Sequence, residues 1–211
     1  MQINGDEHGA LAVLILAGGE SRRFDGCKLL APLKGRALLW HTLQKARHLA
    51  PGHCYLLTGA WHEKLVSSSA LDLHDISVLH HPRWARGMGS SIARGIAALE
   101  GKYDQVLIML ADQPLIRVED YRALLSAPTS DHWDISCALY AGRRGVPAVF
   151  RSSCFQALMA LDAEQGAKAL LESSRFKVIQ TALARAERDI DNVAQLCEIR
   201  SCQTALHSVS C

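Results

Sequence analysis

The amino-acid sequence predicts a three-layer α/β domain, with helices on both faces of a mixed, mostly parallel sheet. Two apolar runs that do not alternate carry this reading: ALAVLILAG (Ala10 to Gly18) and DQVLIMLADQP (Asp104 to Pro114). Continuous apolar patterning marks strands buried on both faces, as in parallel sheets. Strand and helix patterns also alternate along most of the chain, which is the signature of layered α/β architecture. The 211 residues suffice for one large core, and no repeat, linker or low-complexity tract divides them. Residues 1–200 therefore read as one domain, and 201–211 as a C-terminal tail.

The run from Ala10 leaves through Gly18 and Gly19 into a polar loop. RALLWHTLQKARHLA (Arg36 to Ala50) reads as a helix stopped by Pro51-Gly52. CYLLTG (Cys54 to Gly59) is a short strand, a polar helix follows around Trp61 to Ser69, and ISVLHH (Ile76 to His81) is a further strand. His80 and His81 read as surface residues at its end. GMGSSIARGIAALEG opens a helix with Met88, Ile92, Ile96 and Leu99 on one face. The second buried strand ends on an acid and a proline, and the helix of VEDYRALLSA follows. WDISCALYAGRRGVPAVF (Trp133 to Phe150) reads as two strands around a Gly-Arg-Arg-Gly turn. Helices are expected at Ser152 to Leu161 and Gln165 to Glu172, weaker strands at FKVIQT and ARAERDID, and a short last helix at NVAQLCEI. No pattern is expected after Arg200. The whole reads as a single Rossmann-like domain.

Bulk composition narrows the function. The net charge of +2 gives no general argument for nucleic acid or an anionic membrane. The four tryptophans form no stacking ladder for bases. No apolar stretch approaches the ~20 residues that span a bilayer, and MQINGDEHGA does not read as a signal peptide. Seven cysteines, an odd number without a C-x-x-C pair, argue against disulfides and a zinc knuckle. A reducing cytoplasm is the expected location.

In such sheets ligands sit beyond the carboxyl ends of strands. The loop LAGGESRRFDGCKLL starts at one such end. Gly18 and Gly19 allow positive φ, and successive N–H groups there can form an anion nest. Ser21 adds a hydroxyl, Arg22 and Arg23 add forked donors for phosphate, and Lys28 adds a compact charge that could act on a transferred phosphate. The spacing is neither a Walker A motif nor G-x-G-x-x-G; a solvated basic loop after a tight turn has the same composition. Asp112, after the second buried strand, is a natural Mg²⁺ ligand, although an aspartate before Gln-Pro also suits a turn. Asp189 and Asp191 would face one side if DID were a strand, and would repel unless solvated or joined by a cation. Gly87, Met88, Gly89 and Ser90 combine glycines and hydroxyls at a helix start, where free N–H groups attract anions; ordinary capping looks alike.

These segments resemble the molybdenum cofactor nucleotidyltransferases. The pattern L-A-[AG]-G-x-[SG]-x-R-[MF], followed by a lysine, is met at Leu16, Ala17, Gly18, Gly19, Ser21, Arg23, Phe24 and Lys28. LADQPLI, GMGSS and GVPAVF are similar to the cytidylyltransferase branch, which acts on molybdopterin. The first motif has the L-A-G-G form favoured by the guanylyltransferase relatives, but three segments outweigh one residue. The resemblance implies CMP transfer from CTP, or GMP from GTP, to molybdopterin, giving a dinucleotide cofactor for a molybdenum hydroxylase client. It implies that Gly18, Gly19 and Arg23 hold the β- and γ-phosphates, that Lys28 acts at the α-phosphate, and that Asp112 and Asp191 hold Mg²⁺. Leu16, Ala17, Ser21, Arg22, Gly87, Met88, Gly89 and Ser90 would border the nucleotide. Gly145, Pro147, Arg143 and Lys168 would face the acceptor, the last beside Glu164. The family ends D-[IV]-D-T-P-E-D-L, whereas this chain continues from Asp191 as NVAQL. A sugar or polyol phosphate transferase of the same superfamily, or a non-catalytic cofactor chaperone, remain alternatives.

Overall fold

The computed structural model describes residues 10–126, 132–162 and 166–207. Seven strands form one mixed sheet in the order β5-β4-β1-β6-β8-β7-β9, where β1 is Leu11–Ala17, β4 Cys54–Thr58, β5 Ile76–His80, β6 Gln105–Leu110, β7 Ile135–Tyr140, β8 Arg143–Arg151 and β9 Val178–Ala182. A two-stranded ribbon, β2 (Pro32–Leu33) and β3 (Arg36–Ala37), stands apart from it. β5, β4, β1 and β6 run parallel, β8 is antiparallel to both its neighbours, and β9 is parallel to β7.

The centre of the sheet shows why the first apolar run does not alternate. Val13, Ile15 and Ala17 of β1 enter one core, and Ala12, Leu14 and Leu16 enter the other. Successive side chains on a strand point to opposite faces, so a strand covered on both sides has no polar position to spare. The first core is closed by α1 (Leu38–Leu49), α2 (His62–Val66), α4 (Val118–Leu125) and α7 (Val193–His207). The second is closed by α3 (Met88–Leu99), α5 (Phe155–Met159) and α6 (Lys168–Glu172). This is the three-layer α/β domain expected. No helix among the described residues is long and apolar enough to cross a membrane.

Five local expectations are corrected. The β7–β8 connection is the two-residue turn Ala141-Gly142, with φ of 48° and 71°, closed by the pair Tyr140 and Arg143. Positive φ at both positions matches the twist of the flanking strands, so the turn needs no further residues. Arg143 and Arg144 are consequently strand residues and not the tip. Second, ARAERDID is no strand: Ala184–Glu187 form a 3-10 turn, followed by irregular chain to Asp191. Third, the last helix does not stop near Arg200 but continues to His207, into the segment read as a tail. Fourth, His81 is buried. Fifth, the expected Ser152 to Leu161 helix is split into a 3-10 turn, Ser152–Cys154, and α5. Glu164 and Gln165 lie outside the described residues.

One carboxylate ties the far half of the sheet together. Asp134 accepts from the Ser153 hydroxyl (2.7 Å) and from the Lys177 backbone N–H (2.9 Å). These bonds, the Ser153 contact first, hold its carboxyl below the usual range against the opposing effect of burial. Asp134→Asn is expected to lower stability at neutral pH by about 1 kcal/mol or less, because the site is half open to water. A depressed native pKa stabilises above the unfolded value and ceases to do so as the group protonates. Urea titrations of the two proteins should therefore converge below about pH 4.

Candidate functional site

The carboxyl ends of β1 and β6 open onto a cavity of about 460 Å³, at the sheet edge where parallel α/β layers place ligands. Leu16 and Ala17 line it from the end of β1, Gly18, Gly19, Ser21 and Arg22 from the loop beyond, and Lys28 from the far end of that loop. Gly87 and Met88 border it at the start of α3, Asp112 after β6, and Asp189 and Asp191 before α7.

The start of the loop after β1 is held by its neighbours and not by a positive-φ turn at Gly18-Gly19. Gly18 and Gly19 are not among the positive-φ residues; Ser21 (φ 60°) and Gly26 (φ 97°) are. The glycine that close approach does require is Gly59, after β4. A Cβ there would stand 2.5 Å from the Gly18 carbonyl oxygen and 2.6 Å from Trp84 Cβ. Beside it, the Ala60 N–H donates to the Gly18 carbonyl (3.1 Å), and Trp61 Nε1 donates to that of Glu20 (2.9 Å). The loop then returns through buried Cys27 and Leu29, which set Lys28 between them facing the cavity.

Lys28 is the hub of the site. Its Nζ donates to Asp112 Oδ2 (2.6 Å) and to the Ile190 carbonyl (2.8 Å), and lies 3.4 Å from Asp191 Oδ1. The other oxygen of Asp191 accepts from Arg23 Nη2 at 2.6 Å. Lys28 is only 12% exposed at its side chain, whereas Arg23 is 71% exposed. The inner cation is thus much less screened by water than the outer one. Arg22 turns to Glu20, at 2.9 Å.

Backbone contacts explain how Asp112 and Asp191, far apart in the chain, come together. The Ile190 N–H donates to the Asp112 carbonyl (3.0 Å), and Gln113 Nε2 donates to the Ala186 carbonyl (2.9 Å). The glutamine of LADQP is thus a buried clamp on the segment that carries the second acid. Asp189 lies deeper. Burial first, then the charges of Asp112 and Asp191, push its carboxyl up to about 6, with Lys28 and Gln113 opposing. Its Oδ1 is buried without a hydrogen-bond partner.

These donors fit a divalent cation with hard-oxygen preference. Two carboxylates already converge on one ammonium, and an unsatisfied carboxylate oxygen lies in the same hollow. Among the described residues no cluster of three or more His, Cys, Asp or Glu could hold a metal by itself. A cation held here would be bound by one or two carboxylates and completed by substrate phosphates and water.

Other expected site residues are elsewhere. Ser90 and Gly89 do not line the cavity; the Ser90 hydroxyl donates to the Gly87 carbonyl (2.9 Å) and lies 3.1 Å from His81 Nε2. Ser91, one residue on, lines it together with Met88, three positions earlier on the same helix face. Buried His81, its pKa lowered chiefly by burial and further by nearby arginines, lies beneath this turn. The acceptor-side candidates also lie off the cavity lining. Arg143 stacks over the Tyr140 ring at 5.9 Å, and Lys168 sits 3.6 Å from Glu172. Gly145 leaves room for Tyr140, whose hydroxyl would be 2.3 Å from an added Cβ. Pro147 falls in the irregularity between β7 and β8, where the ladder needs no donor. Trp84, Ala85 and Glu20 also line the cavity, and no spacing in the sequence marks them.

The family model described as MobA-like NTP transferase domain matches residues 13–183. The chain is 28% identical over 194 residues to the purine catabolism protein PucB of Bacillus subtilis, covering 85% of this chain and 89% of that protein. It spans 25% to 28% of the length of several bifunctional GlmU proteins that it also matches. Among solved structures, Rv0371c of Mycobacterium tuberculosis superposes with a TM-score of 0.75 at 24% identity, covering 91% of this chain and 97% of that one. The molybdopterin-guanine dinucleotide biosynthesis protein A of Archaeoglobus fulgidus gives 0.70 at 17% identity, over 92% and 99%. The last two likenesses are of fold.

Proposed function

The chain belongs to the MobA-like NTP transferase domain family, and from that premise we propose that it transfers CMP from CTP to the terminal phosphate of molybdopterin, with Mg²⁺, releasing pyrophosphate. The observation that carries the reading is the convergence of Lys28, Asp112 and Asp191 in one cavity beside the loop after β1, with Arg23, which does not line that cavity, paired to Asp191 from its exposed side. Cations and carboxylates alternating at this range suit a polyphosphate and its counter-ion.

In the reaction, an oxygen of the acceptor phosphate forms a bond to the α-phosphorus of CTP. The bond from that phosphorus to the bridging oxygen breaks, and its electron pair leaves with pyrophosphate. The acceptor oxygen is already ionised at neutral pH, so no general base is required. Catalysis then rests on positioning and on charge placed where the transition state needs it. Lys28, largely screened from water, faces the transferred phosphorus and steadies the charge on its non-bridging oxygens. The exposed Arg23, with the loop from Gly18 to Arg22, receives the outer phosphates. Asp112 and Asp191 would hold the metal ion, which supplies neutralisation of the triphosphate. Met88, Ser91 and Trp84 border the remaining space, where the nucleoside would lie.

A nucleotide panel that reads pyrophosphate release with molybdopterin tests this. CTP should turn over in a reaction that stops when EDTA removes the metal. Turnover of GTP but not CTP would overturn the choice of base. Reaction of a sugar phosphate but not molybdopterin would replace the acceptor. Tight CTP binding indifferent to Mg²⁺, with no pyrophosphate under any acceptor, would favour a chaperone.

A further inference from the structure

The peptide unit between Ile190 and Asp191 is held at both its polar atoms. Its carbonyl oxygen, on Ile190, accepts from Lys28 Nζ at 2.8 Å. Its N–H, on Asp191, donates to Gln195 Oε1 at 2.7 Å. That second contact belongs to a reciprocal arrangement at the start of α7. The Gln195 N–H donates to Asn192 Oδ1 (2.9 Å), and Gln195 Oε1 also accepts from the Asn192 N–H (3.2 Å).

Such a pairing of side chains and N–H groups is a capping box, and its ordinary service is to the helix. A box that served only the helix would place its shortest bond from Gln195 on the N–H of the capping residue, Asn192. Here the shorter bond goes one residue further back, to the residue whose carboxylate Arg23 and Lys28 contact. Glutamine makes this contact without charge.

We propose that Gln195 is a positioning residue for nucleotidyl transfer. It fixes the Ile190–Asp191 peptide, and so aims the Asp191 carboxylate at the cation position it shares with Asp112. This rests on the reading of Asp191 as a metal-side carboxylate. Among the described residues the Asn192 side chain has one hydrogen bond, from the Gln195 N–H, so Asn192 serves the helix.

The two residues are therefore separable by experiment. Gln195→Ala, Asn192→Ala, Gln195→Glu and Asp191→Asn would be compared in the full chain. Mn²⁺ binding would be followed by the loss of the free-ion resonance signal in the presence of CTP, alongside thermal unfolding and steady-state rates. Gln195→Ala and Asn192→Ala are expected to lower the melting temperature alike, since each opens the cap. Only Gln195→Ala should weaken Mn²⁺ binding, by about tenfold, with a similar fall in kcat and a smaller change in KM for the nucleotide. Gln195→Glu, which keeps the acceptor oxygens, should restore Mn²⁺ binding. Equal Mn²⁺ affinity in Gln195→Ala and the unaltered protein, while Asp191→Asn binds poorly, would overturn the positioning role and leave the metal assignment intact. Full Mn²⁺ affinity in Asp191→Asn would overturn both.

Discussion

Lys28→Met should lower the rate of pyrophosphate release by about 10²- to 10³-fold. Methionine keeps the length and much of the volume of the stem but carries no charge. Lys28 is 12% exposed, with three oxygens within 3.4 Å of its Nζ. A charge so poorly screened acts strongly on a developing negative charge nearby, and it needs no reorganisation at the moment of reaction. The loss should fall mainly on kcat, with KM for the nucleotide changed less, because the exposed Arg23 and the loop would still take the outer phosphates. Thermal unfolding guards against a trivial cause, since removing one partner of a half-buried ion pair is itself destabilising. A folded Lys28→Met protein with near-normal kcat would remove Lys28 from the chemistry.

Asp112→Asn should cost a similar 10²- to 10³-fold, with a distinct second sign. Asparagine retains an oxygen for Lys28 Nζ, now 2.6 Å from the carboxylate, but halves the charge that Asp112 and Asp191 offer together. The Mg²⁺ concentration for half-maximal rate should rise, as it should not in Lys28→Met. The double variant should fall little below the worse single one, because groups that act as a unit do not lose their effects additively. A slow Asp112→Asn enzyme with an unchanged Mg²⁺ requirement would mean that Asp112 acts through Lys28 and not through the metal.

Legibility in the sequence differed by the kind of signal. β1 and β6 were plain, because a strand covered on both faces must be apolar at every position. The position of the loop from Gly18 to Lys28 and of the acid at Asp112 was legible for a related reason, since both follow directly from those strands at the ends where ligands bind, while their composition alone also suited a solvated loop and a turn. The sequence pointed to Ser90 where Ser91 lines the cavity, because a helix start places neighbouring hydroxyls about 100° apart and the entry angle decides which faces the cavity. Arg143 and Arg144 passed for a loop tip because Gly-Arg-Arg-Gly has turn composition, while a two-residue turn was already complete at Ala141-Gly142. His81 read as a surface group, since nothing local announces that the α3 turn will cover it. Asp191 came from the resemblance to the family's closing acids; the strand expected to carry it does not form, and irregular chain brings it to Lys28 instead. The stretch after it departs from the family's ending and forms a closed hydrogen-bonded cap made by Asn192 and Gln195.

By itself the sequence determined the layered α/β class, the two central strands and the chemical character of the loops that leave them, because periodicity and composition are properties of adjacent residues. Only the tertiary structure decided which of those groups meet. Lys28 touches Asp112 and Asp191 across separations of 84 and 163 residues, and contacts that distant depend on how sheet, clamp and cap are packed together, which no local pattern records.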